Sequence, residues 1–452
     1  MPDILHLKPQ DVDAAEKRGK YTVCVVGCGQ LGAQYTVAFS EAGFKVTCAD
    51  EDQSLIKRLA KGKTTFSERE LEPKLRSCLR TGIANTTSDV KAAVAQSDIV
   101  ILTASVKIDE KTNSDFSEAE NTFKQIGATM RRGVLVIYAG VAGFGFTEGV
   151  VKETLENTSG FKAGTDFGLA YATIRMTEGE RGTGIVSNLS WTVAANDKAS
   201  LDAASLVLSA TTKNGVRQAV NIKIAELAAL FAFARESVSA ALTNEMAVLC
   251  ESAGVDYFEM LKLMDLGLQD SGYAPTIDEA GGKRETRLLL ESGENLGVKL
   301  RLLELARQVN ESMLRHAVNL TQDILRSCGK TLRRSRIAVM GATGPETSGE
   351  SLVKMLEAKG ARINLYDPRG RKNEETDPMR VPKRNLTEAV ENSDCMIVLT
   401  AEDQFKRLNL KNLRSVMKMP AAIVDLAGLF EPQRVESEGF IYRGLGRGFD
   451  KE

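Results

Sequence analysis

Long apolar runs are missing from this chain of 452 residues, and no stretch approaches the ~18 apolar residues that a membrane-spanning helix needs. The first twenty residues lack the apolar segment and cleavage site of a signal peptide, and they are expected to form a charged, loosely ordered lead-in. The charges nearly balance, since 59 Lys and Arg face 60 Asp and Glu, which gives a formal net charge of −1. Neither a membrane nor a nucleic acid is therefore expected as a partner, and we predict a cytoplasmic protein.

Metal-binding patterns are also lacking. His6 and His316 lie far apart without the spacing of metal ligands, so we predict no metal site and no histidine base. The seven cysteines are scattered, and none forms a CxxC pair. A disulfide framework would be unusual in a chain of this size, and the distribution fits a reducing cytoplasm.

A glycine pattern follows the first predicted β-strand, residues 21–26. Gly27, Gly29 and Gly32 have the spacing GxGxxG directly before a predicted helix, and Asp50 ends the next strand 18 residues after Gly32. The first glycine permits a tight turn, the second lets a pyrophosphate approach the backbone, and the third lets the helix pack on the sheet. Asp50 is placed to accept hydrogen bonds from ribose hydroxyls and would repel a 2′-phosphate. The pattern predicts NAD as the cofactor, rather than NADP, bound by Gly27, Cys28, Gly29, Gln30, Leu31, Gly32 and Asp50. The alternative is a Rossmann fold that has lost its ligand.

The middle of the chain has a helical pattern. Residues 216–253 contain neither glycine nor proline, and as one helix they would extend about 57 Å. Such a helix is longer than a small domain needs, and its alanine-rich segment (Ala225, Ala228, Ala229 and Ala232) allows close approach of another helix. We therefore expect it to join two domains and to form a homodimer.

Alternating strand and helix patterns resume at residue 336, with a second glycine loop at 341–349 that lacks the GxGxxG spacing. This loop is either a nucleotide-recognising turn or a structural one. The two alternating regions predict an α/β fold of two Rossmann-like doubly wound domains, joined by a long central helix and a helical middle domain. The expected segments are a lead-in (1–20), a NAD-binding domain (21–212), a central helical domain (213–330) and a C-terminal domain (331–452).

At the level of motifs the chain resembles the UDP-glucose/GDP-mannose dehydrogenase family, especially its branch that oxidises UDP-N-acetylmannosamine. The resemblance rests on several strings in order: GCGQLG (27–32), SDIVIL (97–102), DFGLAY (166–171), NEMA (244–247), CESAGVD (250–256), ARQVNESM (306–313), YDP (366–368), VDLAGLF (424–430) and YRGLGRG (442–448). It implies an NAD-dependent, two-step oxidation of a sugar CH₂OH to a carboxylate, through a thiohemiacetal on a cysteine. It also implies a nucleotide-sugar substrate and a dimer formed through the central helix.

The residues that perform this chemistry in the family are replaced in this chain. The catalytic cysteine loop corresponds to residues 281–287, and no cysteine occurs between Glu251 and Ser327. The lysine and asparagine of the family's central helix correspond to Ala229 and Phe233, and its glutamate corresponds to Ile174. The catalytic residues of this chain are therefore unknown. A thioester route needs a thiolate and groups that stabilise developing charge, so the resemblance does not extend to the second oxidation.

Other polar residues are candidates for contact with a substrate. Arg175 matches an arginine of the family, Lys283 and Arg284 could hold a phosphate or carboxylate, and Arg307 and Asn310 match a substrate-facing pair. The alternatives are a solvated charged loop for Lys283 and Arg284, and capping or inter-helix hydrogen bonds for Arg307 and Asn310.

Two functions fit the sequence. The first is an oxidoreductase that acts on a nucleotide sugar without the cysteine-dependent step. The second is a non-catalytic NAD-binding homologue that serves as a sensor, regulator or assembly partner.

Overall fold

The computed structural model describes residues 4–64, 71–103, 107–108, 114–175, 190–264, 274–278, 282–341, 347–367, 383 and 385–448. Tertiary contacts divide the chain into two compact units. Unit 1 contains residues 1–233 and 284–299, and unit 2 contains residues 234–283 and 300–452. The segment boundaries expected from the sequence, at 212/213 and 330/331, remain a prediction.

Strands and helices alternate along much of the described chain. In chain order the strands are β1 Thr22–Val26, β2 Lys45–Ala49, β3 Ala84–Thr87, β4 Ile99–Leu102, β5 Lys107–Ile108, β6 Ser114–Asp115, β7 Leu135–Tyr138, β8 Gly168–Arg175, β9 Ser190–Ala195, β10 Val216–Gln218, β11 Arg336–Met340, β12 Arg362–Tyr366, β13 Cys395–Val398, β14 Ala422–Asp425 and β15 Ile441–Gly444. The helices are α1 Ala15–Arg18, α2 Gln30–Glu41, α3 Gln53–Leu59, α4 Leu71–Arg80, α5 Val90–Ala95, α6 Ser117–Thr129, α7 Lys152–Ser159, α8 Lys198–Ser209, α9 Ile222–Ala253, α10 Tyr257–Leu263, α11 Lys283–Asn295, α12 Arg301–Ser327, α13 Ser348–Ala358, α14 Leu386–Val390, α15 Asp403–Lys406, α16 Leu410–Val416 and α17 Pro432–Ser437. Short 3₁₀ turns occupy Ile4–His6 and Pro9–Asp11, and a π-helical turn occupies Thr147–Val151.

An eight-stranded sheet forms the centre of unit 1, in the order β3-β2-β1-β4-β7-β8-β9-β10. All neighbours run parallel except β8 and β9, which are antiparallel. The chain order reverses between β1 and β4, and ligands of doubly wound sheets bind at the carboxyl ends of strands at such a switch point. The predicted doubly wound fold is confirmed, and the switch point lies beside the predicted cofactor loop.

Burial in the core of unit 1 explains why continuous apolar runs in the sequence form strands. The four residues of β4 and the four of β7 are completely buried, as expected for strands covered on both faces. Helix α2 is buried along most of its length, and its Tyr35 packs on Trp191 with ring centroids 5.3 Å apart.

The lead-in differs from the loosely ordered segment expected from the sequence. Ile4, Leu7 and Val12 are buried in the core of unit 1. Arg18 also holds the segment against unit 1, because its side chain donates to the carbonyl oxygens of Ala42 and Val12 at 2.5 Å each. The sequence pattern did not predict this docking, because the buried apolar residues stand singly among charged and polar ones.

The long helix is shorter than the glycine-free stretch suggested. Residues Val216–Gln218 form the edge strand β10, and α9 begins at Ile222. The remaining 32 residues extend about 48 Å. The alanine-rich segment is also divided, since Ala225 and Ala229 are buried whereas Ala228 and Ala232 are exposed. No helix in the described part of the chain has both the length and the apolar character needed to cross a membrane.

A five-stranded parallel sheet forms the centre of unit 2, in the order β12-β11-β13-β14-β15. The two sheets repeat one local device at the start of a strand. Asp98 precedes β4 and accepts a hydrogen bond from the backbone N–H of Thr22, at the start of β1, at 2.9 Å. Asp394 precedes β13 and accepts from the N–H of Arg336, at the start of β11, also at 2.9 Å. Each carboxylate also binds a cation, namely Arg131 at 3.0 Å and Lys330 at 2.8 Å.

Candidate functional site

The glycine loop of unit 1 joins β1 to α2 at the carboxyl edge of the sheet. Gly27 has φ of +94°, in the left-handed region that favours glycine. A Cβ on Gly32 would lie 1.8 Å from the carbonyl oxygen of Gly27, so this position admits no side chain without a shift of the loop. A Cβ on Gly29 would meet nothing within 4 Å, which leaves open space above the loop.

The start of α2 is not capped by a side chain. Gly29 is the N-cap residue and provides no side-chain cap. Gln30 and Leu31 form the first turn and are exposed. The positive end of the helix dipole attracts a phosphate group at this position.

Asp50 directly follows β2, and the structure orients its carboxylate. Its Oδ2 accepts a hydrogen bond from the N–H of Cys28 at 2.7 Å, and its Oδ1 accepts from the N–H of Asp52 at 3.0 Å. Each carboxylate oxygen has a second lone pair, so both can still accept from a ribose hydroxyl. The open space at Gly29, the uncapped helix and this oriented carboxylate together fit a dinucleotide.

Thr103 supports the loop from the next strand and was not singled out from the sequence. Its hydroxyl lies 3.0 Å from the carbonyl oxygen of Val26 and 2.6 Å from that of Gly27. The signal that could have found it is positional, because Thr103 follows β4 and parallel neighbours end at the same edge.

A disulfide joins Cys28 in the loop to Cys48 in β2, with Cα atoms 6.1 Å apart. The sequence had indicated no pairing among the cysteines, and this expectation is wrong for one pair. The other five cysteines are free and buried. The sheet brings the two cysteines close, because β1 and β2 place Val25 opposite Cys48 and the N–H of Gly27 in the loop donates to the carbonyl oxygen of Ala49.

The three positions that the sequence predicts to correspond to the family's catalytic groups carry apolar side chains in unit 1. Ile174 lies near the end of β8, opposite Trp191 of β9. Ala229 is buried on α9, and Phe233 is half-buried one turn later. None of these three side chains can donate, accept or transfer a proton.

Glu226, one turn before Ala229, is the buried carboxylate of this region. It accepts hydrogen bonds from the N–H groups of Gly145 and Thr147 at 2.8 Å each, and so caps the π-helical turn after β7. Burial raises the pKa of Glu226, against the hydrogen bonds from Thr147 and Gly145, which lower it. The sequence did not identify it as a functional residue, because its contacts depend on a loop about 80 residues away.

Lys283 and Arg284 are the first residues of helix α11. The alternative of a solvated charged loop is therefore wrong for these two residues. Lys283 is exposed. Arg284 donates from Nε and Nη2 to Oε1 of Glu285 at 3.0 and 2.5 Å. Gly281, residues 342–346 of the second glycine loop, and the side chain of Arg175 lie outside what the structure describes.

Arg307 and Asn310 lie on α12 in unit 2. Arg307 pairs with Glu304 at 2.8 Å and with Glu311. Asn310 is buried, accepts from Nδ2 of Asn244 at 3.1 Å and donates to the carbonyl oxygen of Ser237 at 3.0 Å. The contacts of Asn310 with α9 are the inter-helix hydrogen bonds that the sequence left as the alternative, whereas Arg307 pairs with carboxylates of its own helix. The described residues contain no group of three potential metal ligands.

A doubly wound sheet with a GxGxxG loop at its switch point, and an acidic residue at the end of β2, defines a Rossmann-type NAD-binding protein. Sequence profiles of one family match most of the chain. The NAD binding domain of the UDP-glucose/GDP-mannose dehydrogenase family matches residues 21–206, its central domain 223–312, and its UDP binding domain 346–432. The chain belongs to this family, and NAD is its cofactor, as the sequence predicted.

Individual relatives agree with this assignment. The UDP-N-acetyl-D-mannosamine dehydrogenase of Pyrococcus horikoshii is 26% identical over 436 residues, covering 94% of this chain and 99% of the relative. The UDP-glucose 6-dehydrogenase of Rhizobium meliloti is 26% identical over 465 residues, with the same coverage. The solved structure of the Pyrococcus horikoshii UDP-D-ManNAc dehydrogenase superposes with a TM-score of 0.81 at 24% identity, covering 95% of this chain and all of that one. A UDP-glucose dehydrogenase from Pyrobaculum islandicum superposes with a TM-score of 0.78 at 21% identity, covering 94% and 98%.

Proposed function

We propose that this chain oxidises a nucleotide sugar, or a related small molecule, in a single two-electron step with NAD, and that it lacks the cysteine-dependent second oxidation to a uronate. The observation that carries this proposal is a contrast within unit 1. The cofactor loop and Asp50 have the geometry that a dinucleotide requires, whereas Ile174, Ala229 and Phe233 provide no ionisable or amide group. When it is bound, NAD accepts a hydride.

A nucleotide sugar is the substrate class that the chain's relatives support. The UDP binding domain of the family matches residues 346–432, and two relatives are named as dehydrogenases of UDP-sugars. The proposed loss concerns only the second oxidation, which needs a thiolate to hold the aldehyde as a covalent intermediate.

The test measures NADH formation at its absorbance band with UDP-glucose and with UDP-N-acetylmannosamine, and identifies products by mass spectrometry. We expect at most one NADH per sugar and no uronate. Two NADH per sugar, with the corresponding acid, would contradict the proposal. The variant Arg284→Cys should not restore the second step, because a new thiohemiacetal would lack electrostatic partners, and dismantling such a unit typically costs about 10⁴–10⁶ in rate.

A non-catalytic NAD-binding protein is the second candidate, favoured by the same three apolar side chains. Calorimetry with NAD and with each nucleotide sugar separates the candidates. Binding of both ligands without any NADH would support a sensor, regulator or assembly partner, and NADH formation with any sugar would exclude it.

We also propose a homodimer that forms through α9. Within unit 1 this helix exposes Ile224, Leu227 and Phe231, which are spaced three and four residues apart and therefore share one face. Phe231 is 65% exposed. Monomeric proteins rarely leave such a contiguous apolar face in water, and a second copy of the helix would cover it.

A further inference from the structure

The disulfide of unit 1 lies inside the NAD-binding loop. Its Cα separation of 6.1 Å lies within the range of about 4.4–6.8 Å that disulfides adopt. Cys28 occupies the first variable position of the GxGxxG loop, and Cys48 lies in β2 two residues before Asp50. The bond therefore ties the phosphate-binding loop to the strand that presents the ribose-binding carboxylate.

Cys28 connects the bond to the cofactor site through its own backbone. Its N–H donates to Oδ2 of Asp50 at 2.7 Å, while its sulfur is bonded to Cys48. The covalent ring from Cys28 to Cys48 encloses all of α2, including the uncapped turn that would face the phosphates. Fixing Cys28 thus fixes both the start of α2 and the direction of the Asp50 carboxylate.

We propose that Cys28 and Cys48 form a thiol–disulfide modification site that sets the affinity of the chain for NAD, with the bonded form binding NAD more tightly. The bonded loop already has the geometry of a dinucleotide site, so ligand binding need not order it. In the reduced form hydrogen bonds alone hold the loop. Part of the free energy of NAD binding then offsets the cost of ordering the loop, and the affinity for NAD is lower.

The chemistry of this site balances with a peroxide as oxidant. The two thiols lose two protons and two electrons, one S–S bond forms, and the O–O bond of hydrogen peroxide breaks to give two waters. A dithiol reagent reverses the change, since exchange through a mixed disulfide leaves two protein thiols and one oxidised, cyclic reagent.

The other cysteines do not compete for this role. Cys24 is buried on β1, where burial raises the pKa of its thiol to about 12, so it forms almost no thiolate. Cys78 is buried on α4 of the same unit and is free. Cys78→Ala is therefore a matched control that removes a buried thiol without touching the bonded pair.

The experiment compares the parent chain after peroxide and after dithiothreitol, with excess reagent removed. Thiol counting by maleimide labelling and mass spectrometry of the unfolded protein should give five thiols after peroxide and seven after dithiothreitol. Calorimetry should show an NAD dissociation constant at least fivefold lower for the five-thiol form. Thermal unfolding should show a midpoint at least about 3 °C higher, because the bond restricts the unfolded chain.

Reciprocity supplies an independent readout. If the bond strengthens NAD binding fivefold, saturating NAD must shift the thiol–disulfide equilibrium by the same factor toward the bonded form. Cys48→Ala should bind NAD with the affinity of the reduced parent under both treatments, whereas Cys78→Ala should respond as the parent does. Seven thiols after peroxide, or equal NAD affinity of the five-thiol and seven-thiol forms, would overturn the proposal, and the parent comparison does not depend on any variant folding.

Discussion

At the scale of single residues, Asp50 has two tasks that a substitution can separate. It accepts hydrogen bonds from the N–H groups of Cys28 and Asp52, and we expect its remaining lone pairs to accept from the ribose hydroxyls. Asp50→Ala should weaken NAD binding about tenfold or more, because hydrogen bonds to a charged group contribute about 1.5–3 kcal/mol each. It should also narrow the preference for NAD over NADP, since no carboxylate would repel the 2′-phosphate. Calorimetry with both cofactors measures this, and the exposed neighbour Glu51→Gln is the control. An unchanged NAD affinity in Asp50→Ala would place the ribose elsewhere.

Two glycines of the loop should fail in different ways. Gly29→Val has room for its side chain and should fold with at most about 1 kcal/mol of lost stability at the N-cap, yet lose NAD binding, because the branched side chain fills the space above the loop. Gly32→Ala should lose both stability and NAD binding, since its Cβ would lie 1.8 Å from the Gly27 carbonyl oxygen. Thermal unfolding and NAD titration distinguish the two outcomes. Normal NAD binding by Gly29→Val would show that the GxGxxG loop has only a structural role.

At the scale of elements, the pairing of Lys330 and Asp394 sets how unit 2 responds to acid. Burial acts to raise the pKa of Asp394, but hydrogen bonds from Lys330 and from the N–H of Arg336 outweigh it and hold the pKa below its ordinary value. The unfolded chain therefore binds a proton at a higher pH than the folded one. The stabilisation is complete above the unfolded value of about 3.9 and is lost as the pH falls through the folded pKa.

Lys330→Met tests this element. The variant should lose about 1–3 kcal/mol at pH 7, where the nearly buried carboxylate would lack its cation, and the loss should shrink at acid pH, once the carboxyl is protonated. Urea unfolding at both pH values measures it, with the exposed Lys411→Met as the control. A deficit that is equal at both pH values would show that lost packing, not charge, is responsible.

The sequence predicted elements better than it predicted contacts. Fully buried parallel strands such as β4 are continuous apolar runs, and the glycine loop marked a turn compatible with a dinucleotide. The docking of Ile4, the bond between Cys28 and Cys48, and the cap formed by Glu226 depend on segments that sheet register or tertiary packing brings together. Periodicity within one segment contains no information about such partners.

At the scale of the whole molecule, the proposed dimer depends on the exposed face of α9. Phe231→Asp would place a charge in that face and should give monomers at micromolar concentrations, because burying an unpaired carboxylate is costly. Light scattering measures the mass, and Lys91→Gln, an exposed residue of α5, should keep the mass of the parent. A parent chain that is monomeric across micromolar concentrations would reject the proposed interface.

The discontinuity of unit 1 has a consequence during synthesis. Helix α11 belongs to this unit although it follows residue 233 by about 50 positions, and Oγ of its Ser292 accepts from the N–H of Phe144 at 3.1 Å. A ribosome that has just added residue 233 must add the rest of unit 1, residues 234–299, before the unit and this contact are complete. At about 5–20 residues per second this takes roughly 3–13 s. During that interval all strands of the Rossmann sheet have been synthesised, but the loop after β7 still lacks its contact with α11, whose Leu288 and Leu289 are buried in the folded chain.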